Sequence, residues 1–123
     1  MARTPPPPAQ QQFIDRLREH LADEPVTREL SMFGGRCFMV AGKILVSADK
    51  DGGMLLRVAD DDDELLRRPG AARAEMGPGR DMGRGWITVA ASAVQTDEGL
   101  ASWLEPALAY NRAVTGRADR RQG

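Results

Sequence analysis

The chain has 123 residues, a formal net charge of −1, 41% apolar residues and 28% charged ones. This is the balance of one soluble globular domain, long enough to bury roughly 65% of its unfolded surface without staples. It excludes a global electrostatic pull toward DNA or anionic membrane, and the single cysteine, Cys37, excludes an internal disulfide.

The first residues, "MARTPPPPAQQQ", hold no 7–15-residue apolar core of a secretory signal. No apolar run approaches the ~20 residues needed to span a bilayer. The expectation is a cytoplasmic protein with no membrane partner. Residues 1–12 are expected to be a disordered, proline-rich tail, with "TPPPP" (4–8) in polyproline II. Phe13, Ile14, Leu17 and Leu21 then recur at helical steps and predict an amphipathic helix over 10–24, stopped by Pro25.

"VTRELSMF" (26–33) predicts a first strand, interrupted by Gly34 and Gly35. "RCFMVAGKILVSAD" (36–49) predicts a hairpin turning at Ala41-Gly42, and "MLLRVA" (54–59) continues the meander after an Asp/Gly turn. Phe38–Val40 and Ile44–Val46 are apolar on both faces. Cover on both sides is expected, from helices or from a second copy in a homodimer. "DDDDELLRRPG" (60–70) predicts a short helix, acidic at its start and basic at its end. The glycine-rich stretch 71–85 predicts an irregular loop with a short strand near 72–76, and "WITVA" (86–90) a last strand. A final helix is expected over 96–114, capped by Thr96 or Asp97, with Leu100, Trp103, Leu104, Ala107, Leu108 and Val114 on one stripe. Pro106 should kink or split it. Residues 116–123 read as a basic tail. The order α-β-β-β-α-β-β-α defines an α+β, two-layer fold with an antiparallel meander.

No catalytic, metal or cofactor-binding residue is assigned. "GGRCFMVAGK" (34–43) lacks the spacing of a phosphate-binding loop and joins strand to strand, not strand to helix. "GPGRDMG" (77–83) does not fit the dinucleotide fingerprint. The 49–60 stretch fails as a calcium loop, with Met54 where glycine is required. His20 is the only histidine, which rules out a two-histidine metal site. Cys37, inside an apolar strand, reads as a small buried hydrophobe. The acidic run Asp60–Glu64 reads as helix capping. The alternative function class is nucleic-acid association. Arg67, Arg68, Arg73, Arg80 and Arg84 make one basic zone (67–84), and Arg112, Arg117, Arg120 and Arg121 a second (112–121). Only Trp86 lies near the first zone, so there is no aromatic ladder for stacking bases.

"MFGGRCFMVAGKILVSADKDGGMLLRV" (32–58), "DDDDELLRRPGA" (60–71), "MGPGRDMGRGWITV" (76–89) and "LASWLEPALAYNRAV" (100–114) together resemble the N-terminal domain of the TfoX/Sxy family of competence regulators. The signature residues are Met32, Phe33, Gly34, Gly35, Gly42, Lys43, Arg57, Trp86 and Trp103. The resemblance covers about residues 13–115 as one domain. It implies a secretion-chaperone-like two-layer fold, no catalysis, no cofactor, and a regulatory or protein-interaction role in transcription of competence genes. From the residues themselves, Gly34 and Gly35 are expected to form a bulge or tight bend where a Cβ does not fit.

Overall fold

The computed structural model describes residues 7–32, 35–59, 63–77, 80, 81, 83 and 85–116. Four antiparallel strands follow the first helix α1 (Pro8–His20): β1 (Val26–Met32), β2 (Gly35–Val40), β3 (Lys43–Ala48) and β4 (Met54–Arg57). A 3₁₀ helix (Asp63–Arg67) leads to β5 (Ala71–Arg73), then to a separate small hairpin of β6 (Glu75–Gly77) and β7 (Arg80–Asp81). β8 (Trp86–Val89), a 3₁₀ turn (Ala91–Val94) and α2 (Asp97–Val114) complete the chain. The six-stranded sheet has the order β1-β2-β3-β4-β8-β5. The α+β, two-layer reading holds, but four strands precede the Asp63–Arg67 segment and four follow it, where the expected order counted three and two.

Strand register explains the layering. Phe38, Val46, Leu56 and Ile87 are mutual neighbours across four strands, so they share one face. They form one core cluster with Phe13, Ile14, Leu17 and Leu21 of the first helical segment and Leu100, Trp103, Leu104 and Ala107 of α2. The next row, Leu30, Cys37, Ser47, Leu55 and Thr88, points to the opposite face. That row lies outside the core cluster. Among the described residues both helices pack on the first face; on the other, where cover was also expected, Cys37 and Ser47 are buried and Leu30, Leu55 and Thr88 are partly exposed. A bulge between Phe38 and Met39 turns both Leu45 and Val46 inward, and both are fully buried.

Several element ends differ from the expectation. α1 starts at Pro8, because proline suits the first helical position, where no intrahelical N–H is needed. Gln10 is buried and donates through Nε2 to the Ala48 carbonyl at 2.9 Å, fixing this first turn to the sheet. The helix ends at His20, ahead of Pro25. The segment read as a short α-helix over 60–70 is a 3₁₀ helix ending at Arg67, two residues before Pro69. Val114, counted on the apolar stripe, is exposed in the last turn of α2.

Pro106 neither splits nor ends α2, which runs unbroken from Asp97 to Val114. A proline at 106 has no N–H for the Ser102 carbonyl four residues earlier. Arg68 supplies the missing donor: its Nη1 donates to the Ser102 oxygen at 3.1 Å. The same guanidinium lies 4.8 Å from the centre of the Trp103 ring. We predict that Arg68→Ala lowers stability by about 1 kcal/mol, the scale of one net hydrogen bond with a cation–π contact. In a Pro106→Ala background, where the backbone N–H returns, the same change should cost less. A double-mutant cycle by chemical denaturation checks this, and zero coupling would contradict it.

Candidate functional site

The signature residues divide between the two ends of the sheet. At one end, Met32 pairs with Gly35, leaving a two-residue connection at Phe33 and Gly34, which lie outside the described residues. Gly35 sits where a Cβ would meet Ser47 Oγ at 2.6 Å and the Ala48 carbonyl at 2.9 Å. Close approach therefore requires glycine here, as expected. The neighbouring β3–β4 turn is tied by Gly53 N–H donating to Asp51 Oδ1 at 2.9 Å. Burial, with Asp51 nearby, pushes the Asp49 carboxyl above its ordinary value. A carboxyl raised in the fold contributes most when protonated, and the contribution is lost as pH rises through that value. Asp49→Asn should therefore raise the melting temperature at about pH 7 and leave it nearly unchanged at about pH 3, where aspartate is mostly protonated folded or unfolded. An equal shift at both pH values would contradict this.

At the other end, Ala41 (φ 51°) and Gly42 (φ 84°) both adopt positive φ, the signature of a type I′ hairpin turn. Lys43 follows it, exposed. β4 runs back toward this end and delivers Arg57. Its guanidinium lies 5.3 Å from the Trp86 ring centre and 4.7 Å from that of Tyr110. Nη2 donates to the Tyr110 hydroxyl at 2.8 Å, and Nη1 to the Val58 carbonyl at 3.1 Å. One residue further on α2, buried Asn111 donates through Nδ2 to the Val40 carbonyl at 3.0 Å, just before the turn. A cation held between two aromatic faces is a lock between β4, β8 and α2.

Tyr110, Asn111 and Gln10 were missed by sequence reasoning. The last two carried a signal. Asn111 continues the stripe Leu100, Leu104, Ala107, and Gln10 precedes Phe13 and Ile14 by a helical step. A polar residue on an apolar stripe marks a buried hydrogen bond. Tyr110 carried no comparable pattern.

The arginines read as basic zones have separate fates. Arg67 and Arg73 are exposed, on the 3₁₀ helix and on β5. Arg68 is engaged by Ser102 and Trp103. Arg80 lies in β7. Arg112 pairs with largely buried Glu24 at 2.6 Å, tying α2 to the turn after α1. Arg84, Arg117, Arg120 and Arg121 lie outside the described residues, as do Asp60, Asp61 and Asp62 of the acidic run.

Cys37 and His20 do not make a thiol–imidazole pair. Cys37 is 2% exposed, and burial pushes its thiol up to about 11. It is therefore protonated at neutral pH and a poor nucleophile. The His20 ring instead meets Asp97 of α2, Nε2 to Oδ1 at 3.4 Å. Arg16 reaches the same carboxylate at 3.4 Å and donates to the Val94 carbonyl at 2.8 Å. His20 first, then Arg16, hold the Asp97 carboxyl below its ordinary value. Among the described residues, no group of three His, Cys, Asp or Glu is placed to hold a metal ion, and no helix is long and apolar enough to cross a membrane.

The architecture is that of a small α+β domain in which Gly35, Gly42 and Arg57 shape strand ends and lock elements together. Its family is the TfoX N-terminal domain: that family's model matches residues 19–110, and the chain belongs to it. The family is non-enzymatic and suggests a small regulatory domain. No curated protein and no solved structure matches the chain.

Proposed function

We propose that this protein is a noncatalytic regulatory domain of the cytoplasm that acts by binding other macromolecules, with a role in transcription of the kind that competence regulators carry. The observation that carries this reading is the family match over residues 19–110. Two further observations support it. The buried, protonated Cys37 thiol is unsuited to covalent catalysis. The Arg57 lock gives the domain a rigid sheet end without spending the residues as acids or bases.

The test is a deletion strain of the source organism, profiled for transcripts and complemented with variant chains. A defined set of transcripts should change on deletion and be restored equally by the wild-type chain and by the Cys37→Ser/His20→Gln double variant. An unchanged transcript profile would overturn the regulatory role. Failure of the double variant, at wild-type abundance, would point to chemistry at those two residues. Salt-dependent binding of labelled duplex DNA, lost in Arg67→Ala/Arg73→Ala, would shift the reading to direct nucleic-acid association.

A further inference from the structure

β1 forms one edge of the six-stranded sheet, with no strand beyond it among the described residues, while the opposite edge, β5, is only three residues long. The hydrogen-bond phase of β1 follows from its hairpin. Met32 and Gly35 flank a two-residue connection, which makes them a hydrogen-bonded pair. Alternation then makes Leu30–Cys37 and Arg28–Met39 hydrogen-bonded pairs, and Ser31–Arg36 and Glu29–Phe38 non-bonded ones. The adjoining hairpin gives the same phase independently: Val40 and Lys43 flank the Ala41-Gly42 turn, so Met39 must point its backbone at β1. The N–H and C=O of Glu29 and Ser31 therefore point away from the sheet. A bulge between Val26 and Arg28 ends the regular ladder on one side, leaving Arg28–Met32 as the usable edge.

We propose that this edge pairs antiparallel with the same edge of a second copy of the chain, centred on Leu30 opposite Leu30 of that copy. Only a few registers let outward backbone groups face one another. Centring on Glu29 sets two carboxylates directly opposite, which is destabilising. Centring on Ser31 leaves only Leu30–Met32 within both strands. Centring on Leu30 sets Glu29 opposite Ser31, pairs the half-buried Leu30 with itself, and makes four main-chain hydrogen bonds. It also places complementary charge. Ser31 lies between Arg36 on its own β2 and Glu29 of the other copy, all on one face, so that these opposite charges stand two strand spacings, about 10 Å, apart. Arg36 already reaches its own Glu29 at 3.5 Å, and serine leaves the space between the two copies open. Arg18 first, with Arg36, holds the Glu29 carboxyl below its ordinary value, so it is ionised at neutral pH. An edge of five residues makes a small interface, of the weak and concentration-dependent class. This self-association stands whether or not the domain acts in transcription.

Sedimentation equilibrium of the full chain, from about 5 µM to about 500 µM, tests it by mass action. The mass should rise from the 13.4 kDa of one chain toward twice that value. Ser31→Pro removes an outward N–H that β2 does not use, so it should stay at single-chain mass with an unchanged melting temperature. Ser31→Lys, facing Glu29 of the other copy, should tighten the association, and Ser31→Glu should weaken it. Each change should be roughly two- to thirtyfold, from two symmetry-related cross-strand pairs. If Ser31→Pro fails to fold by circular dichroism, the Lys and Glu variants decide alone. Single-chain mass at every concentration overturns the proposal. So does a dimer that folded Ser31→Pro leaves intact, or a shift of the same sign with Lys and Glu.

Discussion

Gly35→Val is expected to destabilise the domain by about 2–3 kcal/mol, the upper part of the range for overpacking a filled site. The conflict begins at the Cβ itself. Its ideal position lies 2.6 Å from Ser47 Oγ and 2.9 Å from the Ala48 carbonyl oxygen. The hydroxyl can rotate away, but the carbonyl belongs to β3 and cannot move without opening the sheet. Gly35→Ala should therefore show most of the loss, with valine adding a smaller increment. Adding Ser47→Ala should recover only part of it, because the carbonyl contact remains. Thermal unfolding of the four proteins checks this order. A valine variant as stable as the wild type would mean that Gly35 does not press against β3.

Asn111→Leu is expected to cost about 2 kcal/mol even though it adds apolar bulk in a buried position. Asn111 is 2% exposed and its Nδ2 donates to the Val40 carbonyl at the start of the type I′ turn. Leucine keeps the burial and removes the donor, so the Val40 carbonyl keeps only its bond within the turn; losing one buried hydrogen bond and fitting a branched side chain into an amide's site together cost about 2 kcal/mol. Chemical denaturation gives the free energy, and hydrogen exchange at the 40–43 turn should rise. A leucine variant that is neutral or stabilised would show that the bond contributes little beyond packing. Gln10 makes the corresponding bond at the other sheet end, to Ala48. Each helix is thus pinned to the sheet by one buried amide side chain.

The local features were legible because they are written in adjacent residues. The Ala41-Gly42 turn, the strands on either side of it and the Thr96 cap all follow from short-range chemistry, and Thr96 Oγ1 does accept the Gly99 N–H at 3.0 Å. The partnerships between distant residues were not legible. Arg68 in place of the Pro106 N–H joins positions on two elements, and each residue alone predicts something else: a basic patch and a broken helix. Arg57 was recognisable as a signature residue, but Tyr110, which completes its sandwich, lies 53 positions away. The place of β5 beyond β8 was hidden too. A three-residue strand has almost no periodic signal, and only pairing with Thr88 and its neighbours defines it. Arginine makes this worse than most residue types, since one side chain serves equally as a phosphate contact, a carbonyl donor or a partner for an aromatic face.

We propose that the described signature residues serve the scaffold, with Gly35 admitting β3 and Arg57 joining β4, β8 and α2. The most direct measurement is the melting temperature of Arg57→Lys. Lysine keeps the charge but cannot stack a planar group between Trp86 and Tyr110 while donating to the Tyr110 hydroxyl. The expected loss is about 1 kcal/mol, a fall of several degrees for a domain of this size. A melting temperature equal to the wild type's would contradict it, showing that Arg57 holds nothing together.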